Sequence, residues 1–201
     1  MPISKEKANP KEGPSFILAS GSQRRKDLLG DLLSEFSVQV SSAVELESHP
    51  GGPLALVREN ARMKASEVAD GYPQSWVLGA DTLVWLEDRI YGKPKNMEEA
   101  HSMLGELSGK THSVSTGLCL IHKELAYDKT KVDTTRVTFL PFAAEEREEY
   151  FRYVDPLDKA GAYAMQTQAD LIIESFEGSR SNVIGLPLPL LRDWLAEFGL
   201  I

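Results

Sequence analysis

Apolar residues fall along this chain in short blocks, some unbroken and some spaced three and four apart. Phe16-Ile17-Leu18-Ala19-Ser20 is an unbroken block and predicts a buried strand. It runs into the turn formers Gly21 and Ser22. Leu28, Leu29, Leu32, Leu33 and Phe36 then recur at helical spacing, with Ser22 placed to cap that helix. Val38 and Val40 alternate with polar residues and predict a second strand over 37–42. Pro53, suited to a first helical turn, opens a long helix over 53–70 that Gly71 ends. The apolar block 76–81 closes on Asp81, and 82–86 extends it. Asp88-Arg89 then predict a hairpin tip leading into Ile90-Tyr91-Gly92-Lys93-Pro94. Further along come a helix over 97–107, strands over 112–121 and 133–139 rich in Val and Thr, and a helix over 143–153. A strand over 171–176 and a last helix over 188–198 complete the pattern. Strands interspersed with helices predict an α/β fold with a mixed sheet. No composition break demands a boundary, so 15–201 reads as one domain. Residues 1–14, polar and rich in Lys, Glu and Pro, read as a disordered tail.

Composition narrows the function classes. With 201 residues, 42% of them hydrophobic, the chain can bury a sizeable core. No run approaches the roughly 20 apolar residues of a membrane span, and the N-terminus lacks the apolar core of a secretory signal. The net charge of −8 argues against a nucleic-acid polymer as partner, since that needs a basic face. A small phosphorylated ligand stays open, because a few converging cations act within a Debye length of about 8 Å. The single cysteine, Cys119, lies in the apolar block 117–121 and reads as a small core side chain. With four scattered His there is no zinc pattern, and a reducing cytoplasmic setting fits.

Four stretches carry candidate chemistry. Ser20-Gly21-Ser22-Gln23-Arg24-Arg25 is a small-residue turn between strand and helix, where backbone N–H groups and the helix dipole favour an anion and two Arg add donors. Adjacent helical residues point about 100° apart. One Arg is therefore expected on the ligand, and the other in a structural ion pair. In Gly79-Ala80-Asp81-Thr82, a carboxylate closing an apolar run is costly unless solvated, paired or metal-bound; it could hold Mg²⁺, orient a water, or simply cap a turn. Gly92-Lys93-Pro94 fixes a lysine on a rigid turn, and Lys64 lies on the long helix. Asp155-Pro156-Leu157-Asp158-Lys159 begins a tight turn that runs through small residues to Gln166, whose amide can read a base edge. Glu45 and Glu47 are loop carboxylates able to join Asp81 at a metal. Each stretch alone has an ordinary structural explanation, as a capped helix, a turn or a surface ion pair.

Taken in order, these stretches resemble the Maf family of nucleotide pyrophosphatases. The resemblance runs from Phe16 to the C-terminal helix. It is carried by 18–29, by Gly79-Ala80-Asp81-Thr82, by Gly92-Lys93-Pro94, and by Leu107-Ser108-Gly109-Lys110-Thr111-His112. Pro156 to Tyr163 and Val183-Ile184-Gly185-Leu186-Pro187-Leu188 complete it. It implies an elongated mixed α/β scaffold with two lobes around a central cleft, related to inosine triphosphatases, and hydrolysis of a nucleoside triphosphate to the monophosphate and pyrophosphate. A divalent cation, Mg²⁺ or Mn²⁺, and a homodimer come with it. By the resemblance Asp81 is the proton acceptor and a metal ligand with Glu45. Arg24, Thr82 and Gln166 fall at positions tied to substrate choice, and Lys64 and Lys93 on the phosphates, with Ser20, Arg25, Asp158 and Lys159 also at the substrate. Asp81-Thr82 and Asp158 to Tyr163 resemble the dTTP/UTP branch; the alternatives are 7-methyl-GTP as substrate, or a weakly catalytic nucleotide-binding regulator of cell division. Gln23 stands where the family has Pro, and Ala164 and Thr167 where it has glycines, which opens the question of whether the base pocket differs.

Overall fold

The computed structural model describes residues 15–201; the expected N-terminal tail lies outside the described residues. Seven strands form one sheet: β1 (Phe16–Leu18), β2 (Ser37–Val38), β3 (Trp76–Leu86), β4 (Arg89–Tyr91), β5 (Thr111–His122), β6 (Tyr127–Phe139) and β7 (Ile173–Glu177). The order is β2-β1-β3-β5-β6-β7, with β4 paired to the far end of β3. β1 lies parallel to β2 and β3, and all other pairs are antiparallel, so the sheet is mixed. Among the described residues six α-helices flank it: α1 (Gln23–Gly30), α2 (Pro53–Gly71), α3 (Met97–Leu107), α4 (Ala144–Tyr150), α5 (Arg180–Ile184) and α6 (Leu188–Ala196).

β3 is the spine, buried on both faces, which is why its sequence is a continuous apolar run rather than an alternation. Its odd-numbered residues face α2: Val77 packs with Ala61, Ala65 and Val68, and with Cys119 and Ile121 of β5. Its even-numbered residues face the other layer. There Trp76, Leu78 and Ala80 pack with Leu29 of α1 and Leu191 and Trp194 of α6, while Val84 packs with Leu104 of α3 and Tyr150 of α4. Two glycines set the height of α2. A Cβ on Gly79 would stand 2.2 Å from the Ala61 carbonyl oxygen, and one on Gly117 would stand 2.3 Å from that of Val57. The helix therefore rests directly on the strand backbones.

β1 pairs with β3 only as far as Leu78, and β4 begins at Val84. Among the described residues, 79–83 thus have β5 on one side and no strand on the other. This gap in the sheet edge is the cleft.

Several elements depart from the sequence reading for local reasons. α1 stops at Gly30; Leu32 and Leu33 instead turn back, their N–H groups both bonding the Leu29 carbonyl. β2 ends at Val38, and the alternating Val40 is exposed. β6 starts at Tyr127, well before 133, because its first half is a partly solvated strand: Asp128 pairs with Arg62 and Lys131 with Glu197. α5, five residues long, is too short to show a period. Asp81 does not end its strand but lies within it.

Candidate active site

Two adjoining cavities of about 700 and 410 Å³ open at the sheet-edge gap. The larger lies within the range of about 300–1,000 Å³ usual for small-molecule sites. Six Lys/Arg and four Asp/Glu line it, so the cleft is locally positive in a chain of net charge −8. Asp81 and Thr82 point to opposite faces of β3, yet both reach the cavity because the strand edge between them is bare.

Asp81 sits on the floor, 7% exposed. Its Oδ1 accepts from Lys64 Nζ at 2.8 Å, and its Oδ2 from Asn60 Nδ2 at 3.2 Å. Lys64 and Asn60 are four residues apart on α2 and so share a face; the glycine contacts under α2 bring both to the strand. Lys64 Nζ also pairs with Glu45 Oε1 at 2.9 Å. Burial of Glu45 acts to raise its pKa, but the hydrogen bond and charge of Lys64, with the charge of Arg25, hold the carboxyl below its usual range. Two carboxylates thus converge on one positive charge. An ionised carboxylate has about four lone-pair sites, so Asp81 keeps acceptor capacity for a water.

The ion pair expected of the arginine away from the ligand falls on Arg24 rather than on Arg25. Arg24, at the cavity mouth, pairs with Asp158 at 3.0 Å. Among the described residues Arg25 makes no ion pair within bonding distance. Its Nε donates to the Gly185 carbonyl (2.9 Å), Nη1 to Ser20 Oγ (3.2 Å) and Nη2 to Thr82 Oγ1 (3.0 Å). Burial lowers the Arg25 pKa, partly offset by the charges of Asp81 and Glu45. The polarity of this network follows from its ends. Thr116 Oγ1 donates to the Asn182 carbonyl at 3.1 Å, so the 2.9 Å contact between Thr82 and Thr116 must use the Thr82 proton. Thr82 therefore has no proton to give a ligand. Ser20 is the reverse case: its oxygen accepts from Arg25 and from the Ser22 N–H at 3.3 Å, and its own proton has no acceptor among the described residues.

The remaining candidates ring the cleft. Lys93 is exposed, lines both cavities, and has no hydrogen-bond or ion-pair partner among the described residues. Lys159 donates to the Asp155 carbonyl at 2.9 Å and to the Asp158 carboxylate. Burial works to raise the Asp158 pKa, but Lys159 and Arg24 hold it below normal. Gln166 is exposed at the larger cavity, whose lining also includes the apolar Leu83, Val84, Val114 and Ile184. Ala164 and Thr167 do not occupy the left-handed region; positive φ falls instead at Gly161, Ala162 and Gln168. Neither departure strains the backbone. Gln23, at the first helical position, bonds Asp27 at 2.6 Å, and the Ser22 cap accepts from the Arg25 N–H.

Asn60 and Lys95 also line the cleft and escaped the sequence reading. The signal for Asn60 was available: a polar residue in the apolar stripe of Leu56, Val57, Ala61 and Ala65, one turn before Lys64. Glu47 also reaches the cavity. Among the described residues no group of three or more His, Cys, Asp or Glu could hold a metal. The donor set, Glu45 and Asp81 sharing one positive charge, instead suits Mg²⁺ or Mn²⁺ taken up with phosphate oxygens, because Mg²⁺ commonly uses one or two carboxylates plus the substrate.

Comparison with known proteins agrees over nearly the whole chain. The model of the Maf-like protein family matches residues 15–198. A dTTP/UTP pyrophosphatase of Myxococcus xanthus is 44% identical over 185 residues, covering 92% of this chain and 93% of its own. One from Bacillus cytotoxicus is 43% identical over 183 residues (91% and 95%), and one from Desulfotalea psychrophila 40% over 186 (92% and 95%). By this match the chain belongs to the Maf-like protein family.

Proposed function

We propose that the chain is a nucleoside triphosphate pyrophosphatase that takes dTTP and UTP and releases the monophosphate and pyrophosphate. The observation that carries this reading is the buried Asp81 carboxylate, held from both sides by Lys64 and Asn60, facing a cation-lined cleft of nucleotide size. A passive binder would not need a carboxylate so placed, and the products distinguish attack at the α-phosphorus from attack at the γ-phosphorus. The similarity to dTTP/UTP pyrophosphatases favours the pyrimidine substrates.

In this mechanism the triphosphate lies along the β1–α1 turn, where Arg24, Lys93 and Lys95 neutralise its oxygens and Ser20 donates its free proton. The base enters the apolar end of the cavity toward Gln166. Asp81 accepts the proton of the water that attacks the α-phosphorus, and pyrophosphate leaves. A divalent cation held by Glu45 and Asp81 would supply charge neutralisation at the reacting phosphate. Arg25 does not touch the ligand but fixes Ser20, Thr82 and Gly185 around it. Thr82, its proton committed, shapes the wall and leaves hydrogen-bond donation to others.

No described helix is long and apolar enough to cross a membrane. The reading places the enzyme in the cytoplasm, where nucleoside triphosphates are kept, and as a homodimer by its family resemblance. Turnover with a panel of pyrimidine and purine triphosphates, 7-methyl-GTP included, in Mg²⁺ or Mn²⁺ tests it. Preference for dTTP and UTP is expected; turnover of 7-methyl-GTP alone, or of none, would overturn it.

A further inference from the structure

Residues 39–52, between β2 and α2, form no helix or strand, yet they carry Glu45 to the side of Asp81. From 43–48 the backbone is held to the body of the protein by Asn60, and the Glu45 side chain by Lys64 with Asp81 beside it. Asn60 grips the backbone of Leu46 at both groups: its Oδ1 accepts the Leu46 N–H at 2.8 Å, and its Nδ2 donates to the Leu46 carbonyl at 3.0 Å. The same Nδ2 reaches Asp81 Oδ2 at 3.2 Å. Both amide protons and the amide oxygen are therefore in use at a residue only 3% exposed. A buried amide is costly unless it is bonded in this way, and an aliphatic side chain would suit the stripe between Leu56 and Ala61 better. Position 60 gives up that packing and gains a link between the loop backbone next to Glu45 and the carboxylate of Asp81.

We propose that Asn60 is a positioning residue of this site: it sets the placement of Glu45 against Asp81 by clamping Leu46 and orienting the Asp81 carboxylate. Lys64 cannot do this alone, since its ammonium follows the Glu45 side chain and leaves the loop backbone free. The kinetic consequence rests on the pyrophosphatase reading above; the structural one does not.

The test uses the full chain and two readouts. Amide hydrogen exchange over 43–48 is compared between wild type and Asn60→Leu under native conditions, with the melting temperature as control. The kcat/KM for dTTP with Mg²⁺ is measured for wild type, Asn60→Leu, Glu45→Gln and the double variant. Exchange over 43–48 is expected to rise at least tenfold while protection elsewhere is kept. Asn60→Leu is expected to cost at least threefold less activity in the Glu45→Gln background than in wild type, because residues acting through one another are not additive. Unchanged exchange, or the same fold-loss in both backgrounds, overturns the proposal. If Asn60→Leu fails to fold, Asn60→Ser takes its place in both readouts. If the wild type turns over neither dTTP nor UTP, the functional reading fails, and exchange alone decides the clamp.

Discussion

Replacing Arg25 by Lys keeps the charge and removes the geometry, and so separates scaffolding from ligand contact. The guanidinium reaches three acceptors on three parts of the chain: Gly185 after α5, Ser20 after β1 and Thr82 on β3. One ammonium can keep one of them. Hydrogen bonds from charged donors contribute about 1.5–3 kcal/mol each. The abandoned acceptors border the cleft and can take up water, which puts the loss at the low end, about 3 kcal/mol for two bonds. For a protein of this size each kcal/mol shifts the melting temperature by about 2–4 °C, so a fall of about 6–12 °C is expected. Arg24→Lys is the control. Its pair with Asp158 is half exposed, and such pairs contribute about 0–1 kcal/mol, so a shift within about 4 °C is expected, with the loss appearing in KM instead. Calorimetry and urea midpoints at pH 7 measure both. Arg25→Lys melting within about 2 °C of wild type, or Arg24→Lys falling as far as Arg25→Lys, would refute this division of roles.

Gly79→Ala should lower both stability and turnover, because the new methyl lies 2.2 Å from the Ala61 carbonyl and must lift the helix that carries Asn60 and Lys64. Overpacking of this kind costs about 1–3 kcal/mol, and thermal melts with kcat check it; a neutral variant would mean α2 can shift freely. His112 bonds the Tyr163 hydroxyl at 2.8 Å, and burial pushes its pKa down to about 4. The unfolded chain, with a His pKa of about 6.5, binds the proton first, so stability present above pH 6.5 is lost as pH falls from 6.5 toward 4. At pH 5 the loss is about 2 kcal/mol, and urea unfolding at pH 7 and 5 should show His112→Gln losing less than wild type over that interval. Gln166→Ala should change the ranking among dTTP, UTP and purine triphosphates in kcat/KM; an equal loss on every base would remove Gln166 from base reading.

Much of the fold was legible because β3, α2 and α3 carry patterns that their environments demand. β3 is apolar throughout because both its faces are buried, and α2 keeps one apolar stripe because only one side meets the sheet. Less legible were elements held by tertiary contacts rather than period, such as the charged start of β6 and the five-residue α5. At the candidate site, Asp81, Lys64, Lys93 and Asp158 were visible as residue types in suggestive places, and the fold brings them to one cleft. The partners were not visible. That Arg25 is the buried arginine depends on Gly185, 160 positions away, and the clamp on Leu46 depends on where a loop without regular structure comes to rest. Distances of that kind leave no local trace in composition or spacing.

The account turns on Asp81 serving as proton acceptor for water at the α-phosphorus. Its most direct test follows the products of dTTP and Mg²⁺ by phosphorus NMR, with wild type and Asp81→Asn side by side and circular dichroism confirming that both are folded. Wild type should yield dTMP and pyrophosphate, and the variant should be at least about 100-fold slower, since a positioned base contributes about 10²–10⁴. First products of dTDP and orthophosphate, or near-normal turnover by folded Asp81→Asn, would contradict it.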